Sequence, residues 1–175
     1  HGVIQPLIVR QVGDKLELIA GERRWRACAK LGVETVPIIA RDATDREVLE
    51  MALIENLQRQ DLNAIEEAAG YVRLAKEFEM KQEDIAKSVG KSRASVANSM
   101  RLLDLQKDVQ NLLAGGQISV GHAKALLGIR EKKAQRAAAE EVLRRKLTVR
   151  ATEKLVQDFQ NESPDRKVAK GGSKL

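Results

Sequence analysis

Between Gln82 and Met100 the chain meets three spacing constraints at once. Two short helices that cross at a sharp turn need a small residue at the crossing, a glycine at the turn, and an apolar β-branched residue facing back from the second helix. Ala86, Gly90 and Val96 stand at positions 5, 9 and 15 of the segment that begins at Gln82. Ser92 is a suitable N-cap, and Val96, Met100 and Leu103 recur at i, i+4 and i+7 as the buried stripe. The pattern predicts a helix-turn-helix over 82–103, with Ala94, Asn98 and Arg101 turned outward. A helix seated in the major groove reads base edges from its N-terminal turns, so Arg93, Ser95 and Asn98 are the expected readers, Arg93 with the bidentate geometry that suits guanine. Lys91 and Arg101 suit phosphates. Gly90-Lys91-Ser92 imitates the end of a phosphate-binding P-loop, but Ile85 stands where that motif needs a glycine, and a helix precedes it instead of a strand.

Charge supports a polyanionic partner. The net +6 is unevenly spread: residues 1–80 carry −3, 81–130 carry +4 and 131–175 carry +5. An acidic-to-neutral module followed by a basic one is the expected signature of nucleic-acid binding by the second half. Hydrophobic residues at 43% with aromatics at 2% describe a core of Leu, Ile, Val and Ala in a helix-rich globular chain. No apolar run approaches the roughly 20 residues of a membrane span. One cysteine, Cys28, and two histidines, His1 and His122, exclude a cysteine-histidine zinc site.

The first 43 residues read as a small α/β unit. Leu7 to Val12 and Leu16 to Ala20 are strand-like around a Gly13-Asp14 turn, and Val36 to Arg41 is a third strand. Between them a helix follows Gly21, with Trp25, Cys28 and Ala29 at helical spacing and Gly32 at its end. Trp25 and Cys28 are expected on its packed side, Cys28 as core filling. From Thr44 the text is helical: a capping box at Thr44-Asp45-Arg46-Glu47 opens a helix to about Gln58, and Asn63 caps a helix through Ile65, Ala69, Val72, Leu74 and Phe78. Further helices are expected over 82–89, 92–103, 109–113, 119–129, 131–146 and 148–160, then a Ser/Pro/Lys/Gly tail. The domains expected are 1–60, 61–161 and a linker at 162–175. The start at His1, with strand-like sequence almost at once, suggests a piece of a longer protein.

Two other constellations carry chemistry. At Gly21-Glu22-Arg23-Arg24-Trp25-Arg26 a strand enters a helix through glycine, gathering free N–H groups at a positive dipole end beside three arginines, a setting for a polyphosphate or simply a solvated basic face. At Glu55-Asn56-Leu57-Gln58-Arg59, hard oxygen ligands suited to Mg²⁺ stand one turn from an arginine that could hold a phosphate; a surface ion pair is the plainer reading. His122 is either a phosphate contact or a satisfied half-buried histidine.

Gly2-Val3-Ile4-Gln5-Pro6-Leu7-Ile8-Val9-Arg10, Gly21-Glu22-Arg23-Arg24-Trp25-Arg26-Ala27, Ile54-Glu55-Asn56-Leu57-Gln58-Arg59, the segment from Val89 to Asn98, and Gly121-His122-Ala123 follow in order and spacing the pattern of the ParB/Spo0J family of chromosome- and plasmid-partition proteins. The resemblance covers roughly residues 1–160. It implies an α+β chain: a small α/β CTP-binding domain, then an all-helical helix-turn-helix domain for a palindromic, centromere-like (parS) duplex. It further implies a nucleoside contact at Gln5 and Pro6, triphosphate contacts at Gly21, Glu22, Arg23, Arg24 and Arg26, and Glu55, Asn56 and Arg59 for Mg²⁺ and phosphates, with Glu55 needed for slow hydrolysis of CTP to CDP and phosphate. Lys91, Ser92, Arg93, Ser95, Asn98, Ser99, Arg101, Gly121 and His122 would face DNA. Implied partners are a second copy, engaged through the N-terminal domain and a missing C-terminal domain, a ParA-type ATPase bound by a missing N-terminal tail, and SMC condensin, all in the cytoplasm on the nucleoid. Arg93 and Ser99 look more like partition members than nucleoid-occlusion relatives, which tend to carry Gln and Lys there; a plain helix-turn-helix regulator without a CTP switch is the other reading. Many members have Leu-Pro where this chain has Leu105-Gln106, which leaves the following turn less rigid. The α/β unit also resembles sulfiredoxin-type enzymes, but Glu22 and Arg23 occupy the turn where those carry their cysteine.

Overall fold

The computed structural model describes residues 5–59 and 61–162, with side chains to Gln160. The described residues form two compact units, drawn from 1–60 with 77–79 and from 61–76 with 80–175. His1 to Ile4, Gln60 and the expected tail lie outside the described residues. Among the described residues no helix is long and apolar enough to cross a membrane.

The first unit is a three-stranded sheet with two helices. β1 (Leu7–Val12) and β2 (Lys15–Ala20) pair antiparallel through the Gly13-Asp14 turn, with a bulge between Ile8 and Val9. α1 (Glu22–Lys30) carries the chain to β3 (Ile38–Ala40), which pairs parallel with β1, giving the order β2-β1-β3. β3 is shorter than the sequence suggests, and its three residues are exposed. α2 (Asp45–Leu57) closes the unit behind the Thr44–Glu47 capping box. Leu7, Val9, Ile19, Cys28 and Leu57 form its core. Cys28 packs as expected, but Trp25 does not: it is 51% exposed, because a residue one turn earlier on α1 lies at the edge of the face that Cys28 buries.

The second unit is all helical: α3 (Ala64–Glu77), α4 (Gln82–Val89), α5 (Arg93–Arg101), a 3-10 turn over Leu102–Asp104, α6 (Lys107–Ala114), α7 (Val120–Leu126), α8 (Lys132–Arg144) and α9 (Val149–Glu162). Asn63 caps α3, its Oδ1 accepting from the N–H groups of Ile65 and Glu66 at 3.0 and 2.9 Å. The buried residues of α3 are Ala68, Gly70, Tyr71 and Leu74; of the apolar residues the sequence marks along this helix Leu74 is fully buried, whereas Ile65 and Val72 are half-buried and Ala69 is exposed. Leu102, Leu105, Val109, Leu113, Ala123, Leu126, Ala138 and Val142 make the main core. Gln135, 2% exposed, ties three segments together: its amide donates to the carbonyls of Leu126 and Ile129 at 3.1 Å each, and its oxygen accepts from Gln106 N–H at 2.6 Å.

That last bond corrects the reading of Leu105-Gln106 as a loosened turn. Proline would have no N–H to give Gln135, whereas Gln106 donates one, and its side chain also caps α6 by accepting from Asp108 and Val109 N–H. The segment is held by hydrogen bonds in place of ring stiffness.

Candidate nucleotide and DNA sites

In the first unit a cavity of about 570 Å³ is walled by Leu16, Leu18, Ile19, Ala20, Gly21, Glu22, Trp25, Ala52, Glu55, Asn56 and Arg59. Such a volume accommodates a small-molecule ligand. Its polar wall comes from the start of α1 and the end of α2, which the chain separates by more than thirty residues. Gly21 makes the corner: at φ 104° it occupies the left-handed region, and a Cβ there would meet Leu7 Cδ2 at 2.8 Å. No side chain caps α1, so its first-turn N–H groups stay open to a ligand.

Of the residues expected to hold the nucleotide, the cavity gathers Gly21, Glu22, Glu55, Asn56 and Arg59. Gln5, Pro6, Arg23, Arg24 and Arg26 do not line it. Helical phase explains Arg23 and Arg24: Glu22 and Trp25, three apart, share the cavity side of α1, which turns the two positions between them away. Arg24 folds back, its Nη1 donating to the carbonyls of Gln5 and Pro6 at 2.8 Å each. It anchors the segment expected to meet the nucleoside. Arg26 pairs with Glu22 at 2.6 Å, both exposed. Because α2 ends at Leu57, Glu55 and Arg59 are not on one continuous helix face; the chain has left the helix by Arg59, whose N–H still donates to the Asn56 carbonyl.

The sequence reading missed Trp25, Leu16, Leu18 and Ala52 as wall residues. Leu16 and Leu18 lie two apart on β2, hence on one face, and Leu16 is 57% exposed. That apolar alternation running to the end of an edge strand was the available signal.

In the second unit the helix-turn-helix forms as its spacing requires. Gly90 ends α4 in the left-handed conformation at φ 68°, and Lys91 N–H closes the turn on Ala86 carbonyl at 2.9 Å. Ser92 Oγ accepts from Ser95 N–H at 3.1 Å, capping α5. Ala86 and Val96 are buried, while Ser92, Arg93, Ser95 and Arg101 are exposed and Asn98 is half-buried. Met100 and Leu103 are only half-buried: α5 tightens into the 3-10 turn after Arg101, and the phase change buries Leu102 instead.

Three expected DNA contacts have other partners. Lys91 Nζ bonds Glu67 Oε1 at 2.8 Å and lies 5.9 Å from the centre of the Tyr71 ring. Burial works against the Lys91 charge, and Glu67 and the Tyr71 hydroxyl outweigh it, raising the pKa. Ser99 Oγ donates to the same Glu67 oxygen at 3.4 Å. His122 spends both ring nitrogens: Nδ1 accepts from Ser119 N–H at 3.1 Å, which leaves the proton on Nε2 to bond the Leu147 carbonyl at 3.0 Å. The satisfied-histidine reading is the one the geometry favours. Gly121 is a packing residue, since a Cβ there would meet Val149 Cγ2 at 2.8 Å.

Comparison with known proteins matches both units to one family. A model of the ParB N-terminal domain matches residues 1–57 and a model of the ParB HTH domain matches residues 60–161. The chain belongs to the ParB family. It is 54% identical over 162 residues to the probable chromosome-partitioning protein ParB of Coxiella burnetii, covering 93% of this chain and 56% of that protein. It is 51% identical to the chromosome-partitioning protein ParB of Myxococcus xanthus, over 97% of this chain and 56% of that one. The chain thus spans little more than half the length of these relatives. The crystal structure of C-terminally truncated Caulobacter crescentus ParB complexed to the centromeric parS site is similar with a TM-score of 0.81 and 44% identity, over 88% of this chain and 82% of that chain.

Proposed function

We propose that this ParB chain is the nucleotide- and DNA-binding part of a CTP-gated, sequence-specific DNA clamp that serves chromosome or plasmid segregation. The observation that carries the reading is the convergence of Gly21, Glu22, Glu55, Asn56 and Arg59 on one cavity, in a chain whose other unit exposes Arg93 and Ser95 on a capped recognition helix.

The cavity residues suit a nucleoside triphosphate with magnesium. Open N–H groups at Gly21 and the first turn of α1 would take phosphate oxygens, and Arg59 would add a positive charge. Among the described residues no three of His, Cys, Asp and Glu converge, so Mg²⁺ would rest on Glu55 and Asn56 together with the nucleotide's own oxygens, the usual habit of that ion. Bound there, the ion would neutralise phosphate charge during hydrolysis to CDP and phosphate. Glu55 would orient the attacking water.

The second unit would meet a palindromic parS duplex through Arg93, Ser95 and Asn98 at bases and Arg101 at phosphates, as the relative from Caulobacter crescentus is complexed to parS. Val12, Leu16, Trp25, Leu31, Val33, Ile38 and Ile39, all exposed on the first unit, favour engagement of two N-terminal domains once DNA and CTP are bound. The remaining partners, a ParA-type ATPase and SMC condensin, are proposed for the full-length protein, on the nucleoid in the cytoplasm.

Titration of the chain and of a full-length version with CTP, ATP, GTP and UTP, with and without a parS duplex, tests the reading. Trp25 is the chain's one tryptophan and stands in the cavity wall, so its emission reports occupancy directly. CTP alone should change it, and parS should raise phosphate release. No response to any nucleotide would reduce the protein to a plain helix-turn-helix regulator.

A further inference from the structure

Lys91, first residue after the Gly90 turn, occupies the place where a helix-turn-helix lysine would be expected to reach a phosphate, yet its ammonium is paired with a carboxylate of the protein itself. Its partner Glu67 lies on α3, and the side chains are 39% and 22% exposed respectively. Ser99, two turns along α5, donates to the same carboxylate oxygen. The Lys91 ammonium also lies 5.9 Å from the ring centre of Tyr71, a fully buried residue whose hydroxyl oxygen has no hydrogen-bond partner.

We propose that Glu67 is a specificity-determining residue that withholds Lys91 from DNA phosphates, so that the lysine adds nothing to binding of random DNA and is released only when the recognition helix seats on its cognate bases. The inference rests on the DNA-binding reading above.

The cluster is built for such an exchange. A carboxylate losing an ammonium from a partly buried site would ordinarily be left short of a donor, at considerable cost. Glu67 keeps Ser99, and the Tyr71 hydroxyl is close enough that burial and the Glu67 carboxylate together push its pKa up. Tyr71 is therefore a reserve donor, ready for Glu67 when Lys91 leaves. Non-specific affinity consists almost entirely of phosphate contacts, each adding about 0.9 to the slope of log K against log salt on duplex DNA. One withheld lysine is one contact fewer on the competing genome. Seating on cognate bases brings the backbone close enough for phosphate to replace the carboxylate.

The test measures affinity for a parS duplex and a scrambled duplex of equal length across a salt series. Glu67→Gln keeps the shape and loses the charge. It should steepen the scrambled-duplex slope by about 0.9 and tighten binding about eightfold at 0.1 M salt, the value of that slope over one decade from 1 M. The parS-to-scrambled ratio should fall. Lys91→Met alone should leave the scrambled slope unchanged, and in its background Glu67→Gln should lose its effect. Glu67→Asp should stay close to the unmutated slope. A Lys91→Met chain whose scrambled slope drops by about 0.9 would overturn the proposal, even if Glu67→Gln failed to fold. So would a Glu67→Gln effect that persists without Lys91. An unmutated chain that binds neither duplex would instead refute the DNA-binding reading, and this inference with it.

Discussion

Replacing Gly21 with alanine should damage the first unit far more than the same change at Gly13, although both glycines have positive φ. Gly13, at φ 61°, has nothing within 4 Å of the position a Cβ would take. Alanine there meets only the left-handed penalty of about 1–2 kcal/mol. At Gly21, φ 104°, the same strain is joined by a steric conflict: the added carbon would stand 2.8 Å from Leu7 Cδ2 and 3.2 Å from Arg24 Nη2. Arg24 is flexible enough to yield. Leu7 is 2% exposed, in the centre of a small core, so moving it is overpacking, which costs a further 1–3 kcal/mol or so. The total is about 2–5 kcal/mol, a large share of what a domain of roughly 60 residues can hold. Because Trp25 is the chain's single tryptophan, a urea titration followed by its emission reads the first unit, while far-ultraviolet circular dichroism of the same samples follows the helical bulk. With a slope near 1 kcal/mol per molar urea for so small a unit, the emission midpoint should fall by about 2–5 M for Gly21→Ala, or the native emission should already be lost in buffer. Gly13→Ala should lower it by about 1–2 M. Equal midpoints for the two variants would show that the approach of Leu7 to Gly21 carries no energy, and the corner of the cavity would then need another explanation.

Three other outcomes are expected. Arg24→Ala removes a guanidinium that holds two backbone carbonyls, so it should lower the emission midpoint by the worth of a charged hydrogen bond, about 1.5–3 kcal/mol; an unchanged midpoint would mean the Gln5 and Pro6 contacts are idle. Glu55→Gln should still bind CTP, seen by Trp25 emission, but release little phosphate in a malachite-green assay with parS present; phosphate release at the unmutated rate removes Glu55 from the chemistry. Arg93→Ala should cost about 1–3 kcal/mol on parS and much less on scrambled duplex at one fixed salt concentration, and in the full-length protein it should also lower parS-stimulated CTP hydrolysis; stimulated hydrolysis that survives loss of parS binding would separate the two units mechanistically.

The sequence by itself determined the local structure. Ala86, Gly90, Ser92 and Val96 encode the helix-turn-helix within fifteen residues, because capping, a left-handed turn and one buried contact are properties of neighbours in the chain. The same holds for the Thr44–Glu47 capping box and the Gly13-Asp14 hairpin. Order and spacing of the motifs also carried the family. Tertiary structure alone decided which charged side chains are available. Arg24 and Lys91 read as anion contacts, and His122 as either a phosphate contact or a satisfied histidine, since sequence shows a charge or an imidazole but not what faces it. Their partners are the Gln5 and Pro6 carbonyls, Glu67, and Ser119 with the Leu147 carbonyl, up to 25 residues away. Conversely, Leu16 read only as part of a strand, Trp25 as the packed side of its helix, and Ala52 drew no reading; they became the wall of a cavity only when β2, α1 and α2 were brought together. A hydrogen-bond partner distant in the chain leaves no periodicity behind, whereas a helix cap does.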